Sequence, residues 1–150
     1  MIDEDVSDLV FRLLFCLIFV GLGFEHIFSD TLIQHLMPSW MPMKRLVSFS
    51  CGLWLVGFGS LILLGWKLRI AACGLAAFLV VVTLSVHIPG VMFQSAEISP
   101  EHYWMWEILQ RTNLVKNLCL LGVCFQLLHH KVGKYSLQAW LDNRQANSPS

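Results

Sequence analysis

The chain has 150 residues, of which 56% are apolar and only 13% are charged, and its mean hydropathy is +0.64. A soluble domain normally carries about a quarter charged residues, so this composition argues against a water-soluble protein and predicts a membrane protein. Lysine plus arginine and aspartate plus glutamate number 10 each, so no basic field indicates a nucleic-acid partner.

The first apolar segment is predicted to stay in the protein. The chain begins MIDEDVSD, which is acidic where a secretory signal is basic, and no small-residue cleavage site follows. A bilayer core of ~30 Å needs ~20 helical residues at ~1.5 Å each. Residues 9–28 satisfy that length and predict the first membrane helix.

Three further segments are predicted to span the membrane. Residues 47–66 contain no formal charge, and residues 70–93 contain only His87 as an ionisable group. Two apolar runs of this length favour membrane helices over soluble helical packing. The fourth helix, about 110–130, takes Lys116 into the membrane because its uninterrupted apolar run is too short to cross alone.

These segments predict an all-α polytopic membrane protein, a single transmembrane domain over residues 1–150 built as a four-helix bundle. Outer loops are predicted at 29–46 and 94–109, the first lying on the membrane and the second supplying interfacial aromatic residues. Residues 131–150 form a C-terminal tail whose polar end, DNRQANSPS, is expected to be disordered.

The distribution of basic residues predicts that both termini are cytoplasmic. Six basic residues fall on the side of the termini, against four on the other side, and an excess of lysine and arginine marks the cytoplasmic face. The six are Arg12, Lys67, Arg69, Lys131, Lys134 and Arg144, and the four are Lys44, Arg45, Arg111 and Lys116.

Polar residues inside the apolar segments are the candidates for function. A charged side chain near the bilayer centre costs roughly 3 kcal/mol, so partners are expected. Glu25 lies ~5 Å and His87 and Lys116 ~9 Å inside the outer ends of their helices, so they share one layer of the outer leaflet. An ion pair between Glu25 and Lys116 is expected there. The competing interpretation is structural, with these charges reaching outwards or locking helix 1 to helix 4.

A quinone headgroup would suit this layer, because it needs donors for two carbonyl oxygens, an ionisable group, an aromatic wall and access from lipid. The candidate pocket residues are Glu25, His26, Trp54, His87, Lys116 and Asn117. In this hypothesis Lys116 and His87 donate hydrogen bonds to the ligand, and Trp54 forms a wall of the pocket. Glu25 and His26 exchange protons with the ligand. A weaker alternative is a copper or zinc site at Glu25, His26 and His87, which lacks diagnostic spacing.

Six short segments carry a family resemblance over about residues 10–130. They are GLGFEHIF, MPSWMP, SCGLW, LRIAACGLA, VHIPGVM and NLVKNLCLLG, in that order. As an ordered set they resemble the DoxX family, small four-helix membrane proteins that include the small-subunit type of thiosulfate:quinone oxidoreductase. The resemblance implies a multi-pass protein of the bacterial cytoplasmic (inner) membrane that has a redox or stress-related function.

The resemblance also assigns polar positions. Those that recur in the family correspond here to His26, His87, Lys116 and Asn117. Many relatives carry an acidic residue in helix 2 a few positions after a glycine, where this chain has Trp54 after Gly52. If that acid belongs to a redox site, Glu25 would have to replace it.

The leading hypothesis is a quinone-interacting or redox-accessory subunit, an enzyme only as the membrane part of an oxidoreductase. The chain lacks a haem CxxCH, a flavin-binding GxGxxG and an iron–sulfur cysteine set, so no intrinsic cofactor is expected and electron transfer would need a partner subunit. Alternatives are a non-enzymatic assembly or stabilising factor for other membrane proteins, and a small transporter or metal-handling protein. Lipid-exposed helix faces would also permit a homo-oligomer.

Overall fold

The computed structural model describes residues 3–29, 31, 33–34, 37–38, 40–93 and 98–147. This part of the chain contains helices and no strands. The helices are α1 (Glu4–Phe28), α2 (Lys44–Leu63), α3 (Leu68–Met92), α4 (Tyr103–Leu127) and α5 (Leu137–Ala146). The first three are long and apolar enough to cross a membrane. The prediction of an all-helical protein with membrane-spanning helices is therefore confirmed.

The helices pack in chain order. α1 packs on α2, α2 on α3, and α3 on α4, whereas among the described helices no Cα of α1 lies within 8 Å of a Cα of α4. The buried apolar side chains between them include Phe15, Phe19, Leu55, Ile62, Leu75, Leu79 and Leu127. Because α1 contacts α2 and α4 contacts α3, side chains near the C-terminal end of α1 are separated from those of α4.

The α1–α2 contact depends on two facing glycines. A Cβ atom on Gly52 would lie 2.8 Å from the carbonyl oxygen of Gly23 and 2.7 Å from a side-chain carbon of Ile27. Membrane helices approach closely through such small residues, because lipid supplies no hydrophobic drive between them. The close approach brings the last turns of α1 against the first turns of α2.

A short turn joins α2 to α3 and meets the two ends of the chain. Gly65 has a φ of +64°, a left-handed conformation that favours glycine. A Cβ atom there would also lie 2.6 Å from the Cβ of Ser136 and 2.9 Å from Nη1 of Arg12. The turn therefore requires glycine both for its backbone and for the close approach of α1 and the C-terminal segment.

The fourth helix begins earlier than the sequence analysis placed it. A 3-10 turn at Pro100–His102 leads into α4 at Tyr103, where the prediction began the helix at about residue 110. Proline is favoured at the first position of a helical segment because its φ is preset. The predicted outer loop 94–109 is shortened accordingly, and its residues 94–97 lie outside the described residues.

The expectation of a disordered polar end is wrong for residues 142–146, which belong to α5. The Ser136 hydroxyl accepts a hydrogen bond from the Ala139 N–H at 3.2 Å and caps this helix. The Leu137 N–H donates to the Leu64 carbonyl at 2.8 Å, so α5 begins against the α2–α3 turn. Asn147 is the C-cap of this helix, and residues 148–150 lie outside the described residues.

Candidate functional site

His26 forms a polar pair with Ser48 across the α1–α2 contact. Ser48 is fully buried, and its oxygen lies 3.0 Å from Nδ1 of His26. The Ser48 hydroxyl donates to the His26 carbonyl at 3.3 Å, so its oxygen is free to accept a hydrogen bond from Nδ1–H. In the neutral ring Nε2 is then an acceptor, and it makes no hydrogen bond to a residue that the structure describes.

A cavity of about 720 Å³ opens beside this pair, and we call it the His26 cavity. Its lining residues are His26, Ile27, Gln34, Met43, Lys44, Arg45, Leu46 and Phe49. The Lys44 ammonium donates to the carbonyls of Gln34 at 3.4 Å and Met37 at 3.1 Å, which places a positive charge at the cavity and anchors the connection before α2. Apolar walls with a few convergent polar groups are typical of small-molecule sites of this size.

His87 occupies the end of a π-helical turn, Thr83–His87, within α3. Its Nδ1 lies 2.7 Å from the side-chain oxygen of Gln110, which is 2% exposed. Because an amide oxygen only accepts, Nδ1 carries the proton. π-Helical turns are frequent at functional sites, and here the turn presents His87 to α4.

Asn117 and Lys116, the two other polar candidates on α4, also form hydrogen bonds. Asn117 is buried and donates to the hydroxyl of Thr83 at 3.2 Å, which joins α4 to α3. Lys116 donates to the side-chain oxygen of Asn113 at 2.9 Å, within α4 itself. Both side chains therefore have a partner in the structure.

The predicted ion pair between Glu25 and Lys116 is wrong. Glu25 is exposed on α1, and none of the ion pairs formed by described residues includes it. The physical reason is the packing order, which keeps α1 away from α4. Lys116 instead satisfies its ammonium with the neighbouring Asn113.

Trp54 joins α2 to α3 and is 45% exposed. Its indole N–H donates to the Gly74 carbonyl at 2.9 Å, and its ring contacts Phe58 with centroids 4.9 Å apart. It lies ~9 Å along α2 from Ser48. The indole N–H is thus used to hold two helices together.

The predicted pocket residues consequently occupy different parts of the bundle. His26 lines the His26 cavity, His87 and Asn117 join α3 to α4, and no hydrogen bond between described residues connects the two sets. Within the described ranges no three histidine, cysteine, aspartate or glutamate residues form a possible metal group, so Glu25, His26 and His87 are not gathered as one ligand set. A single ligand pocket made of all six residues stays a prediction.

A buried ion pair that was not predicted from the sequence lies at the opposite end of the bundle. Arg12, one of the six basic residues assigned to the side of the termini, is fully buried, and its Nε lies 3.0 Å from a carboxylate oxygen of Asp8. Its two remaining nitrogens donate to the carbonyls of Leu63 at 2.6 Å and Tyr135 at 2.7 Å. The signal in the sequence was the four-residue spacing of aspartate and arginine at the edge of an apolar run.

Asp8 also binds the C-terminal segment. Its carboxylate accepts from Nε2 of His130 at 2.7 Å and from the Gly133 N–H at 3.0 Å. Nearby, the Lys134 ammonium contacts Asp5 and Asp3, and the hydrogen bonds to Asp5 and then Asp3 raise the pKa of Lys134 above its ordinary value. The start of α1, the α2–α3 turn and the segment after α4 are thereby tied together.

Comparison with known proteins gives one family match. The DoxX family model matches residues 7–88, more than half of the chain. The match includes most of α1, all of α2, and α3 through its π-helical turn, whereas α4 and the C-terminal segment lie beyond it. No curated protein and no solved structure matches the chain significantly.

Proposed function

The chain belongs to the DoxX family of membrane proteins, and from that premise we propose that it is a redox-accessory subunit that binds a quinone in the His26 cavity. The observation that carries this proposal is a cavity of about 720 Å³ that has on its wall an imidazole, that of His26, held by Ser48. The cavity lies in the part of the chain that the family match covers. The proposal narrows the predicted pocket to one of its residues, His26.

The lining residues supply what a quinone headgroup requires. In its neutral tautomer His26 can accept a hydrogen bond at Nε2 from a headgroup hydroxyl, and in its protonated form it can donate to a carbonyl oxygen. The positive charge of Lys44 stabilises negative charge on a headgroup oxygen. Ile27, Leu46 and Phe49 provide apolar contact. A quinone supplies the electron-carrying chemistry when bound, and a partner subunit is needed as donor or acceptor.

Removal of His26 should weaken quinone binding. In His26→Gln we expect about a tenfold loss of affinity for a short-chain ubiquinone analogue, because a hydrogen bond to the ligand is worth roughly 1–2 kcal/mol. Isothermal titration of the detergent-solubilised protein measures this affinity. His102→Gln, a change at an exposed histidine, is the matched control and should bind like wild type.

A second variant separates the two histidine sites. His87→Gln alters the α3–α4 pair and leaves the His26 cavity intact, so we expect unchanged analogue affinity. Loss of binding in His87→Gln with normal binding in His26→Gln would contradict the cavity assignment and favour the pocket predicted from sequence. Absence of analogue binding to wild-type protein would overturn the quinone proposal itself.

We also propose that α4 is a fourth membrane span. Its 25 residues give a length of ~38 Å, more than the ~30 Å core requires. Its buried polar residues Gln110 and Asn117 are each hydrogen-bonded to α3, and Arg111 is paired with Glu107. Four spans return the chain to the side on which α1 begins, and the excess of basic residues assigns that side to the cytoplasm of a bacterial inner membrane.

Reporter fusions test this topology. A green fluorescent protein fused to the C-terminal end should fluoresce, and an alkaline phosphatase fused at the same point should be inactive, because that end is cytoplasmic. Fusions of the same reporters after residue 98 should give the opposite pair of results. An active phosphatase at the C-terminal end would contradict the four-span arrangement with cytoplasmic ends.

An assembly factor for other membrane proteins is the second candidate function, and one observation favours it. Gly21, Gly57 and Gly122 lie on exposed faces of three helices, and a Cβ atom at any of them would meet nothing within 4 Å. Such positions allow a helix of another protein to approach closely. This function predicts co-purification with one membrane partner that Gly57→Leu abolishes, with no effect of His26→Gln.

A further inference from the structure

Cations stack on aromatic rings at one end of the bundle, the end where α1 begins and α2 finishes. The pairs are Lys67 on Trp66 at 4.8 Å, Lys134 on Tyr135 at 5.1 Å and Arg144 on Trp140 at 4.6 Å, each measured to the ring centroid. All the cation–aromatic pairs found among the described residues lie at this end. Tryptophan and tyrosine with flanking lysine and arginine are typical of the membrane–water boundary.

α5 begins at the level of that boundary. Its Leu137 N–H donates to the Leu64 carbonyl at 2.8 Å, and the Gln138 N–H donates to the Gly65 carbonyl at 3.4 Å. Both acceptors follow directly after Leu63, where the membrane-spanning helix α2 ends. Trp140, one turn into α5, is 51% exposed and therefore faces out from the bundle.

Three of the carboxylates near this surface have protein partners, whereas Glu4 is exposed. Asp3 and Asp5 contact Lys134, and Asp8 is held by Arg12 and His130. Lys67 and Arg69, on either side of the start of α3, remain exposed. Their positive charge is therefore directed outwards, beside the aromatic rings.

The cations at the other end of the bundle are bound differently. Lys44 donates to two backbone carbonyls, and Arg111 forms an ion pair with Glu107. Lys116 is bonded to Asn113. Arg45 at that end is also exposed, and it too has an interaction partner. Among the described residues, cation–aromatic pairs thus distinguish the end at the α2–α3 turn.

We propose that this end binds the headgroups of anionic phospholipids in the adjoining leaflet. The binding surface is formed by Trp66, Lys67, Arg69, Tyr135 and Trp140, and we call it the headgroup surface. Its charge complements a phosphate carrying no compensating amine, and its rings lie at the depth of the headgroups. This inference is independent of quinone binding, which involves the opposite end of α1.

Lipid selectivity tests the proposal. The protein is reconstituted into phosphatidylcholine bilayers, and electron spin resonance measures the motionally restricted fraction of spin-labelled phosphatidylglycerol and of spin-labelled phosphatidylcholine. Wild type should prefer phosphatidylglycerol. In the double variant Lys67→Gln/Arg69→Gln that preference should fall by up to roughly 25-fold, because each cation near an anionic surface contributes a factor of about five.

The control variant is Arg111→Gln, which removes one exposed cation from the other end and should keep the preference. Both altered side chains of the double variant are exposed, so its thermal unfolding should match that of wild type. Equal association of the two lipids with wild type would overturn the proposal, as would a preference that survives in the double variant. Neither result would alter the quinone titration.

Discussion

Replacement of Arg12 with alanine is expected to destabilise the protein by about 3–5 kcal/mol, the largest effect of any single substitution considered. The change leaves the buried carboxylate of Asp8 with only His130 and the Gly133 N–H as partners, and it removes the donors to the carbonyls of Leu63 and Tyr135. The loss is large because a buried charge deprived of its partner keeps its full desolvation cost. The free energy of unfolding in SDS titrations of detergent-solubilised protein measures it.

Arg111→Ala is the matched control for this prediction. Arg111 also pairs with a carboxylate four residues away, that of Glu107, but its side chain is 66% exposed. An exposed pair contributes about 0–1 kcal/mol, so the control should unfold almost like wild type. Equal losses in the two variants would show that burial of Arg12 has no energetic consequence, contrary to the structure.

Gly52→Ala is expected to cost about 1–3 kcal/mol and to weaken quinone binding at the same time. The added methyl group would lie 2.8 Å from the Gly23 carbonyl oxygen, so α1 and α2 must move apart. Ser48 lies one turn before Gly52 on α2, and the same movement lengthens its hydrogen bond to His26. SDS titration and analogue titration of one preparation measure the two effects together.

Gly57→Ala provides the comparison on the same helix. A Cβ atom on Gly57 meets nothing within 4 Å, and alanine is favoured over glycine in a helix interior by about 1 kcal/mol. Stability should therefore stay the same or increase, with unchanged quinone affinity. A loss in Gly57→Ala as large as that in Gly52→Ala would contradict the role assigned to the close α1–α2 contact.

The membrane helices could be predicted from sequence because the length of an apolar run is a direct physical requirement of the bilayer. The ends of the helices could not be predicted in the same way. α4 begins at Tyr103 after a 3-10 turn, and α5 forms because Ser136 caps it and the α2–α3 turn accepts its first hydrogen bond. Capping and docking act through single hydrogen bonds, which hydropathy does not register.

The candidate site was predicted only in part, for a related reason. His26 could be identified because a buried polar group is costly, but its partner Ser48 is uncharged and gave no such signal. Glu25 and Lys116 were paired because opposite charges at one depth attract, whereas the order of helix packing separates them. The buried pair of Asp8 and Arg12 lies at the edge of an apolar run, where hydropathy alone does not distinguish a buried charge from an exposed one.

Photoaffinity labelling with an azidoquinone tests quinone binding at the His26 cavity most directly. The labelled protein is digested, and the modified residues are located by mass spectrometry with and without excess unmodified quinone. The cavity predicts competed label on the segment from Met43 to Phe49, reduced in His26→Gln. Label on α3 and α4 around His87, or label on the helix faces that excess quinone does not displace, would contradict it.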